Sequence, residues 1–135
     1  AYGSNLHHAQ MKRRCPKCRY IKKHILHDYQ LTFRSKYGAC DIEKKVGNKV
    51  YGALYIISKC AEKRLDVYEE YPTLYKKIYF SYKGDKVMTY TMVRKTKLVP
   101  PTERYLNVVK QGYKDCKINI RSLQIALRPL AHLQR

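Results

Sequence analysis

The stretch that decides the interpretation of the fold is Ala1-Tyr2-Gly3-Ser4-Asn5-Leu6, at the start of the 135-residue sequence. It begins apolar, continues into small polar residues, and is followed at once by a helix-like segment from His7 to Arg14. Glycine permits a positive φ and a close approach of another group to the backbone, and Ser4 and Asn5 are favourable N-cap residues. The stretch therefore predicts the end of a strand, a turn and a helix start. Backbone amides in such a turn can bind a carboxylate or phosphate, but an ordinary capped helix is the simpler interpretation of these residues alone.

Because the predicted strand is already ending at Ala1, we expect an initiating Met and further strand residues to precede it. The N-terminus then gives no information on targeting. No apolar run approaches the roughly 20 residues that a membrane span requires. Five cysteines at irregular spacing, in a chain long enough to fold without cross-links, are expected to be reduced, which predicts a cytoplasmic protein.

Length and composition predict one folded domain over residues 1–135. Hydrophobic residues make up 44% of the chain, which excludes a disordered composition. The net charge of +19 has two interpretations. It can mark a nucleic-acid, acidic-protein or anionic small-molecule partner. It can equally be a solvated lysine-rich surface, and the even spread of basic pairs along the chain favours this second interpretation.

A CxxC pair at Cys15 and Cys18, followed by His24 and His27, invites a zinc interpretation. The interval from Cys18 to His24 is too short for a zinc finger, and the sequence has no second CxxC. We therefore expect two partly buried thiols and no metal.

The remaining pattern predicts an α+β domain built on a mostly antiparallel or mixed sheet. Alternation predicts strands, and capping residues with helical spacing predict helices. The predicted segments after the first helix are two short strands within Tyr20–Arg34 with a bend near His27-Asp28, strands Ala39–Lys44 and Val50–Ile57 on either side of a turn at Gly47-Asn48, helix Lys59–Tyr68, a hairpin of Tyr75–Tyr82 and Val87–Val93, helix Glu103–Tyr113 capped by Thr102, and helix Ile120–Leu127.

Three segments in this order resemble the γ-glutamylcyclotransferase family, which includes the AIG2-like proteins. The first is Ala1–Leu6 followed by Gln10-Met11 and Arg14-Cys15-Pro16. The second, Leu65–Pro72 with Tyr75, resembles the family's Leu-Asp-x-x-Glu-Gly-Tyr-Pro segment. The third is Pro101-Thr102 with Arg104-Tyr105-Leu106 and Gly112. Each segment is weak alone, but together they extend over nearly the whole chain.

The resemblance implies a small mixed or antiparallel β-barrel flanked by helices, with a pocket at one mouth. It implies that the backbone of Tyr2, Gly3, Ser4, Asn5 and Leu6 holds a γ-glutamyl group, with Tyr105 as a pocket wall. The family's catalytic carboxylate corresponds to Glu69. The implied reaction is attack of the substrate's own α-amine on its γ-carbonyl, which forms 5-oxoproline and releases an amine. The expected substrate is a small anionic γ-glutamyl compound, and no cofactor or metal is needed.

Two departures leave a second hypothesis open. The family usually has glycine after the catalytic Glu, whereas this chain has Glu70, and the charge is more positive than the family leads us to expect. The first hypothesis is an enzyme of the lyase or acyltransferase class with Glu69 as general base. The alternative is a non-catalytic basic module of the same fold that contacts nucleic acid or an acidic partner. The sequence contains no recognisable nucleic-acid motif, so we expect any such binding to be weak and unspecific.

Overall fold

The computed structural model describes residues 1–133, which form helices packed against antiparallel strands. The predicted α+β class is thereby confirmed. The elements in chain order are a 3-10 helix Ser4–Leu6, α1 His8–Arg14, β1 Arg19–Arg34, β2 Ala39–Ile56, α2 Lys59–Tyr68, β3 Tyr75–Tyr82, β4 Asp85–Met92, α3 Glu103–Asp115, α4 Arg121–Leu127 and a second 3-10 helix Arg128–Leu130.

The strands form two antiparallel hairpins, β1 with β2 and β3 with β4. The carboxylate of Asp41 on β2 joins the hairpins, although this residue is fully buried. It accepts a hydrogen bond of 2.7 Å from the amide of Met92 at the end of β4 and lies 2.7 Å from Nζ of Lys95. A buried charge is tolerated only when it is paired and hydrogen-bonded, so this network fixes β2 against β4.

The first hairpin is longer and more continuous than the sequence predicted. Tyr20–Arg34 belongs to one strand rather than two, with an irregularity at Asp28 where the bend was predicted, and β2 runs through the predicted turn at Gly47-Asn48. The turn residues instead form a bulge, because the register jumps where Asp28 stands opposite. Asp28 has a φ of 64° and accepts a hydrogen bond of 3.0 Å from the amide of Gly47, whose φ is 90°. Long-range pairing therefore overrides the local turn signal.

The shorter elements match their predicted positions closely, because their signals are local. Helix α2 and strand β3 have the predicted bounds. Thr102 caps α3 as predicted, since its hydroxyl accepts a 3.1 Å hydrogen bond from the Tyr105 amide. The structure extends α3 to Asp115, begins α4 one residue later than predicted, and places β4 at Asp85–Met92.

The start of α1 corrects the prediction that Ser4 or Asn5 caps it. These residues form the 3-10 turn, and α1 begins at His8 with His7 as its N-cap. The ring of His7 accepts a hydrogen bond of 3.1 Å at Nδ1 from the Gln10 amide. The extra turn leaves the loop residues outside the helix.

The apolar side chains form two core clusters on either side of this N-terminal segment. Leu6 packs in the first cluster with residues of β1, α3 and α4, whereas Met11 packs in the second with residues of α2, β3 and β4. Gly112 on α3 permits the close packing of Leu6, because a Cβ there would lie 2.6 Å from the Leu6 Cβ. The N-terminal loop is therefore held from both sides.

Candidate active site

The N-terminal loop, Tyr2–Leu6, is placed against β2 by a backbone pair. The Ala1 nitrogen donates to the carbonyl of Ala53 at 2.9 Å, and the Ala53 amide donates to the carbonyl of Ala1 at 2.8 Å. Gly52 permits this contact, since a Cβ there would lie 2.2 Å from the Ala1 oxygen. The start of the loop is therefore fixed beside Ala53 of β2.

Gly3 is needed for space rather than for a positive φ. Its φ of −123° and ψ of −126° differ from the expected left-handed conformation. A Cβ at Gly3 would lie 3.0 Å from the Cβ of Cys40 and 3.3 Å from the hydroxyl of Tyr105. Of the two predicted roles of this glycine, the structure confirms the close approach of other groups to the backbone.

Glu69 contacts the loop from a distant part of the sequence. It is the C-cap of α2 and donates its amide to the Leu65 carbonyl at 2.8 Å. Its side chain is partly buried, and its Oε1 accepts a hydrogen bond of 3.2 Å from Nδ2 of Asn5. The structure thus brings together two of the predicted site residues.

Arg14 is a third member of this arrangement, and the sequence analysis gave it no role in the site. Its Nη1 donates to Oδ1 of Asn5 and, at 3.2 Å, to the hydroxyl of Ser4. The guanidinium also lies 3.4 Å from the centre of the Tyr68 ring, a cation–π contact. Because the oxygen of the Asn5 amide accepts the hydrogen bond from Arg14, the NH2 group of that amide is directed at Glu69.

The environment of Glu69 raises its pKa from 4.5 to about 7. Burial is the largest cause, because it disfavours the charged carboxylate. Arg14 and the Asn5 hydrogen bond oppose it by favouring the ionised form. The result is a carboxyl group that exchanges its proton near neutral pH, as a general base at that pH requires.

Tyrosines form much of the wall around this pair, and their hydroxyls have partners. The hydroxyl of Tyr105 accepts from the Cys40 amide at 3.0 Å, and burial raises its pKa well above the usual value. Tyr2 donates to the carbonyl of Tyr90 at 2.7 Å, and Tyr55 donates to the carbonyl of Asn5 at 3.2 Å. These bonds fix the shape of the site from β2, β4 and α3.

A cavity of about 790 Å³ is lined at one end by the N-terminal loop, the Glu69 carboxylate and these tyrosines. Its volume is in the range of small-molecule binding sites. Of the residues proposed for the site, Tyr2, Gly3, Ser4, Asn5, Glu69 and Tyr105 line it. The side chain of Leu6 lies in the core instead, with no exposed surface.

The loop also presents backbone donors. The structure gives no acceptor within residues 1–133 to the amides of Gly3, Ser4 and Asn5. Amides of this kind, in a preformed turn, can stabilise negative charge on a bound group.

The family model described as "Gamma-glutamyl cyclotransferase, AIG2-like" matches residues 1–112, and these include the loop, Arg14, Glu69 and Tyr105. The chain belongs to this γ-glutamyl cyclotransferase, AIG2-like family. No curated protein is a significant match to the chain.

Solved structures of similar fold include members with and without a described activity. An uncharacterised human protein is 22% identical, with a TM-score of 0.79 over 95% of this chain and 84% of that one. A protein named γ-glutamyl cyclotransferase is 20% identical, with a TM-score of 0.78 over 100% and 89% of the chains. YkqA from Bacillus subtilis is 18% identical, with a TM-score of 0.76 over 100% of this chain and 54% of its own. At these identities the likeness shows the fold.

The backbone conformation at Glu70 explains why the family usually has glycine at this position. Glu70 has a φ of 52°, in the left-handed region where glycine is favoured. Its side chain is exposed, and it is not among the groups that shift the pKa of Glu69. The Glu70 carboxylate therefore faces solvent.

The CxxC pair lies away from the cavity lining. Cys15 is fully buried, and its thiol approaches the carbonyl of Ala61 at 3.6 Å. Within residues 1–133 no group of three or more His, Cys, Asp or Glu side chains is placed to hold a metal ion. All five cysteines are free thiols, and no helix in the described part of the chain is long and apolar enough to cross a membrane. The absence of a metal and the cytoplasmic location stay predictions.

Proposed function

We propose that this protein is an enzyme of the γ-glutamylcyclotransferase type, which converts a γ-glutamyl amine or amino acid to 5-oxoproline and the free amine. The observation that carries the proposal is the Glu69 carboxylate, which is bound by Asn5 of the loop at one end of the cavity and has a pKa of about 7. A carboxylate that served only in a structural ion pair would have a lowered pKa, whereas a general base must bind and release a proton near the working pH.

Glu69 removes a proton from the substrate's α-ammonium, because an ammonium has no lone pair for attack. The freed amine then attacks the γ-carbonyl carbon and forms a tetrahedral intermediate with a negatively charged oxygen. The amides of Gly3, Ser4 and Asn5 are suited to stabilise that charge. Attack within one molecule closes a five-membered ring, so the cavity has mainly to hold the folded conformer.

The intermediate collapses when the bond between the γ-carbon and the leaving nitrogen breaks. The attacking nitrogen loses two protons on its way from ammonium to lactam, and the leaving amine gains two and departs as an ammonium. Glu69 carries protons between the two nitrogens and ends in its original state. No water is consumed, and this step balances without any further reactant.

The direct test is release of 5-oxoproline from a panel of γ-glutamyl amides, including γ-glutamyl ethylamide, γ-glutamyl alanine and ε-(γ-glutamyl)lysine. N-acetylated versions serve as the matched control, because they lack the nucleophilic amine. We expect release from the free compounds and none from the acetylated ones. If no compound of the panel gives 5-oxoproline, the proposal fails.

A basic binding module is the second candidate function, and exposed tyrosine–lysine pairs favour it. Tyr79 on β3 is 54% exposed, and Nζ of Lys86 lies 4.2 Å from its ring centre. Exposed rings flanked by cations can stack on the bases of single-stranded nucleic acid. The +19 charge supports the same candidate.

A further inference from the structure

The cavity continues well beyond the residues that the proposed reaction uses. Its volume of about 790 Å³ suits a drug-sized ligand, and a γ-glutamyl group fills only part of that space. The second part lies between the two hairpins and is lined by the half-buried rings of His24, Phe80 and Tyr82. We call these three rings the aromatic wall. This second part is available to the leaving portion of a substrate held at Glu69.

The strand register places the aromatic wall beside the reacting end. His24 on β1 pairs with Gly52 on β2, so their side-chain positions point to the same face of the hairpin. That face is the one against which Ala1 lies, since a Cβ on Gly52 would meet the Ala1 oxygen at 2.2 Å. His24 is therefore next to the point where the loop leaves β2.

The aromatic wall spans the gap between the hairpins. The rings of His24 and Phe80 are stacked, with centroids 5.8 Å apart and planes inclined by 6°. The Tyr82 ring meets His24 edge-on at a centroid distance of 5.0 Å. A flat apolar group is the kind of ligand that packs well on such a surface. Burial and the nearby Lys22 lower the pKa of His24, so the ring favours its neutral form.

Lysines surround the far edge of the aromatic wall. Nζ of Lys22 and Nζ of Lys83 lie 5.7 Å and 5.5 Å from the ring centre of Tyr82, and Lys86 also lines the cavity. Asp85 is the one acidic residue of the hairpin turn in the lining. Nζ of Lys86 itself lies against the Tyr79 ring, outside the lining, so two cations, Lys22 and Lys83, stand against one anion. The edge is therefore positive, which favours a negatively charged group on the ligand.

We propose that the amine released by this enzyme is an aromatic amino acid with a free carboxylate. Its ring packs on the aromatic wall, and its carboxylate faces the lysines at the edge. The inference rests on the proposed function, because it assigns the part of the substrate that departs when the lactam forms.

Four substrates separate the two features: γ-glutamyl phenylalanine, γ-glutamyl phenethylamide without the carboxylate, γ-glutamyl alanine without the ring, and γ-glutamyl ethylamide with neither. We expect kcat/KM for the phenylalanine compound to exceed that for the alanine compound by about 10- to 200-fold, the usual range for an apolar group filling a pocket. The carboxylate should add about two- to fivefold per lysine contact, and this part should fall with salt because the lysines are exposed.

Two variants test whether the preference for the ring and the carboxylate arises in this part of the cavity. Phe80→Ala should abolish most of the preference for the ring, mainly through KM, and should lower kcat/KM for γ-glutamyl phenylalanine far more than kcat/KM for γ-glutamyl ethylamide. The double variant Lys22→Ala with Lys83→Ala should reduce the carboxylate preference in the same way. Lys76→Ala is the matched control, because Lys76 is exposed on the same hairpin and does not line the cavity.

Titration calorimetry with the Glu69→Gln variant gives a readout that does not depend on turnover. Equal kcat/KM for the four substrates, with 5-oxoproline released from each, would overturn the inference and leave the proposed function standing. Absence of 5-oxoproline from all four, together with equal or undetectable binding in the calorimeter, would overturn both. Absence of 5-oxoproline with selective binding of the phenylalanine compound would remove the reaction and support the ligand preference.

Discussion

Asn5 donates a hydrogen bond of 3.2 Å from Nδ2 to Oε1 of Glu69, a residue 64 positions further along the chain. The orientation of this amide is set by Arg14, which holds its oxygen. An amide in the opposite orientation would direct its oxygen at the carboxylate and repel it. The contact therefore links the N-terminal loop to the end of α2 in one geometry, and several consequences can be measured.

Replacement of Glu69 by Gln should abolish turnover without loss of the fold. Gln is nearly isosteric and can still accept the Asn5 hydrogen bond, but it cannot take up a proton. We expect kcat to fall by about 10²- to 10⁴-fold, the usual contribution of a general base. Glu70→Gln is the matched control and should keep full activity, because the Glu70 side chain is exposed. Full activity in Glu69→Gln, or a comparable loss in Glu70→Gln, would contradict the assignment.

The rate should depend on pH through the ionisation of Glu69. The base is active when deprotonated, so kcat/KM should fall about tenfold per unit below the pKa of about 7. Arg14 lowers that pKa. In Arg14→Gln the fall of kcat/KM on the acidic side of the pH profile should therefore occur at higher pH. Arg14→Lys keeps the charge, so its fall should occur near the original pH. An unchanged pH profile in Arg14→Gln would show that the cation does not act on the base.

The same carboxyl group should make stability depend on pH. Its pKa is raised from 4.5 to about 7 on folding, so the folded protein binds the proton more tightly than the unfolded chain does. The stabilising contribution is complete below pH 4.5 and is lost as pH rises through about 7. Glu69→Gln removes this loss, and at pH 8 it should be more stable than the wild type by up to about 3 kcal/mol. Denaturant unfolding at pH 4.5 and pH 8 checks this, and a difference that is equal at both values would refute it.

Glu70→Gly should stabilise the protein and leave its activity unchanged. The left-handed φ of 52° costs a non-glycine residue about 1–2 kcal/mol, and the greater freedom of glycine in the unfolded chain cancels part of that gain. We expect a net gain of about 1 kcal/mol, or roughly 3 °C in Tm. Val67→Gly is the control, because Val67 is exposed within α2 and glycine there should destabilise. A lower Tm in Glu70→Gly would disprove the explanation of this position.

Nucleic-acid binding should be weak and insensitive to sequence. If the +19 charge acts only through phosphate contacts, affinity should fall by about 10³- to 10⁵-fold between low and moderate salt. The measurement is a fluorescence titration of two single-stranded RNAs and one DNA duplex at both salt concentrations, with Tyr79→Ala to test stacking. Tight binding near physiological salt that discriminates between the RNAs would support the basic binding module.

The sequence by itself determined the elements whose signals are local. Helix α2 and strand β3 begin and end where their caps and alternation predicted, because a cap bonds a residue only two or three positions away. The order of three family segments also predicted that the loop and Glu69 act together, and the structure brings Asn5 and Glu69 into contact.

Tertiary structure decided the continuity of the first hairpin and the chemistry of Glu69. Pairing over the length of β1 converts the turn signal at Gly47 into a bulge, because many cross-strand bonds outweigh one local preference. The pKa of Glu69 depends on the exclusion of water by elements distant in sequence and on Arg14, whose role no local spacing indicates. The aromatic wall likewise exists only because the fold brings the His24 ring of β1 against the Phe80 ring of β3.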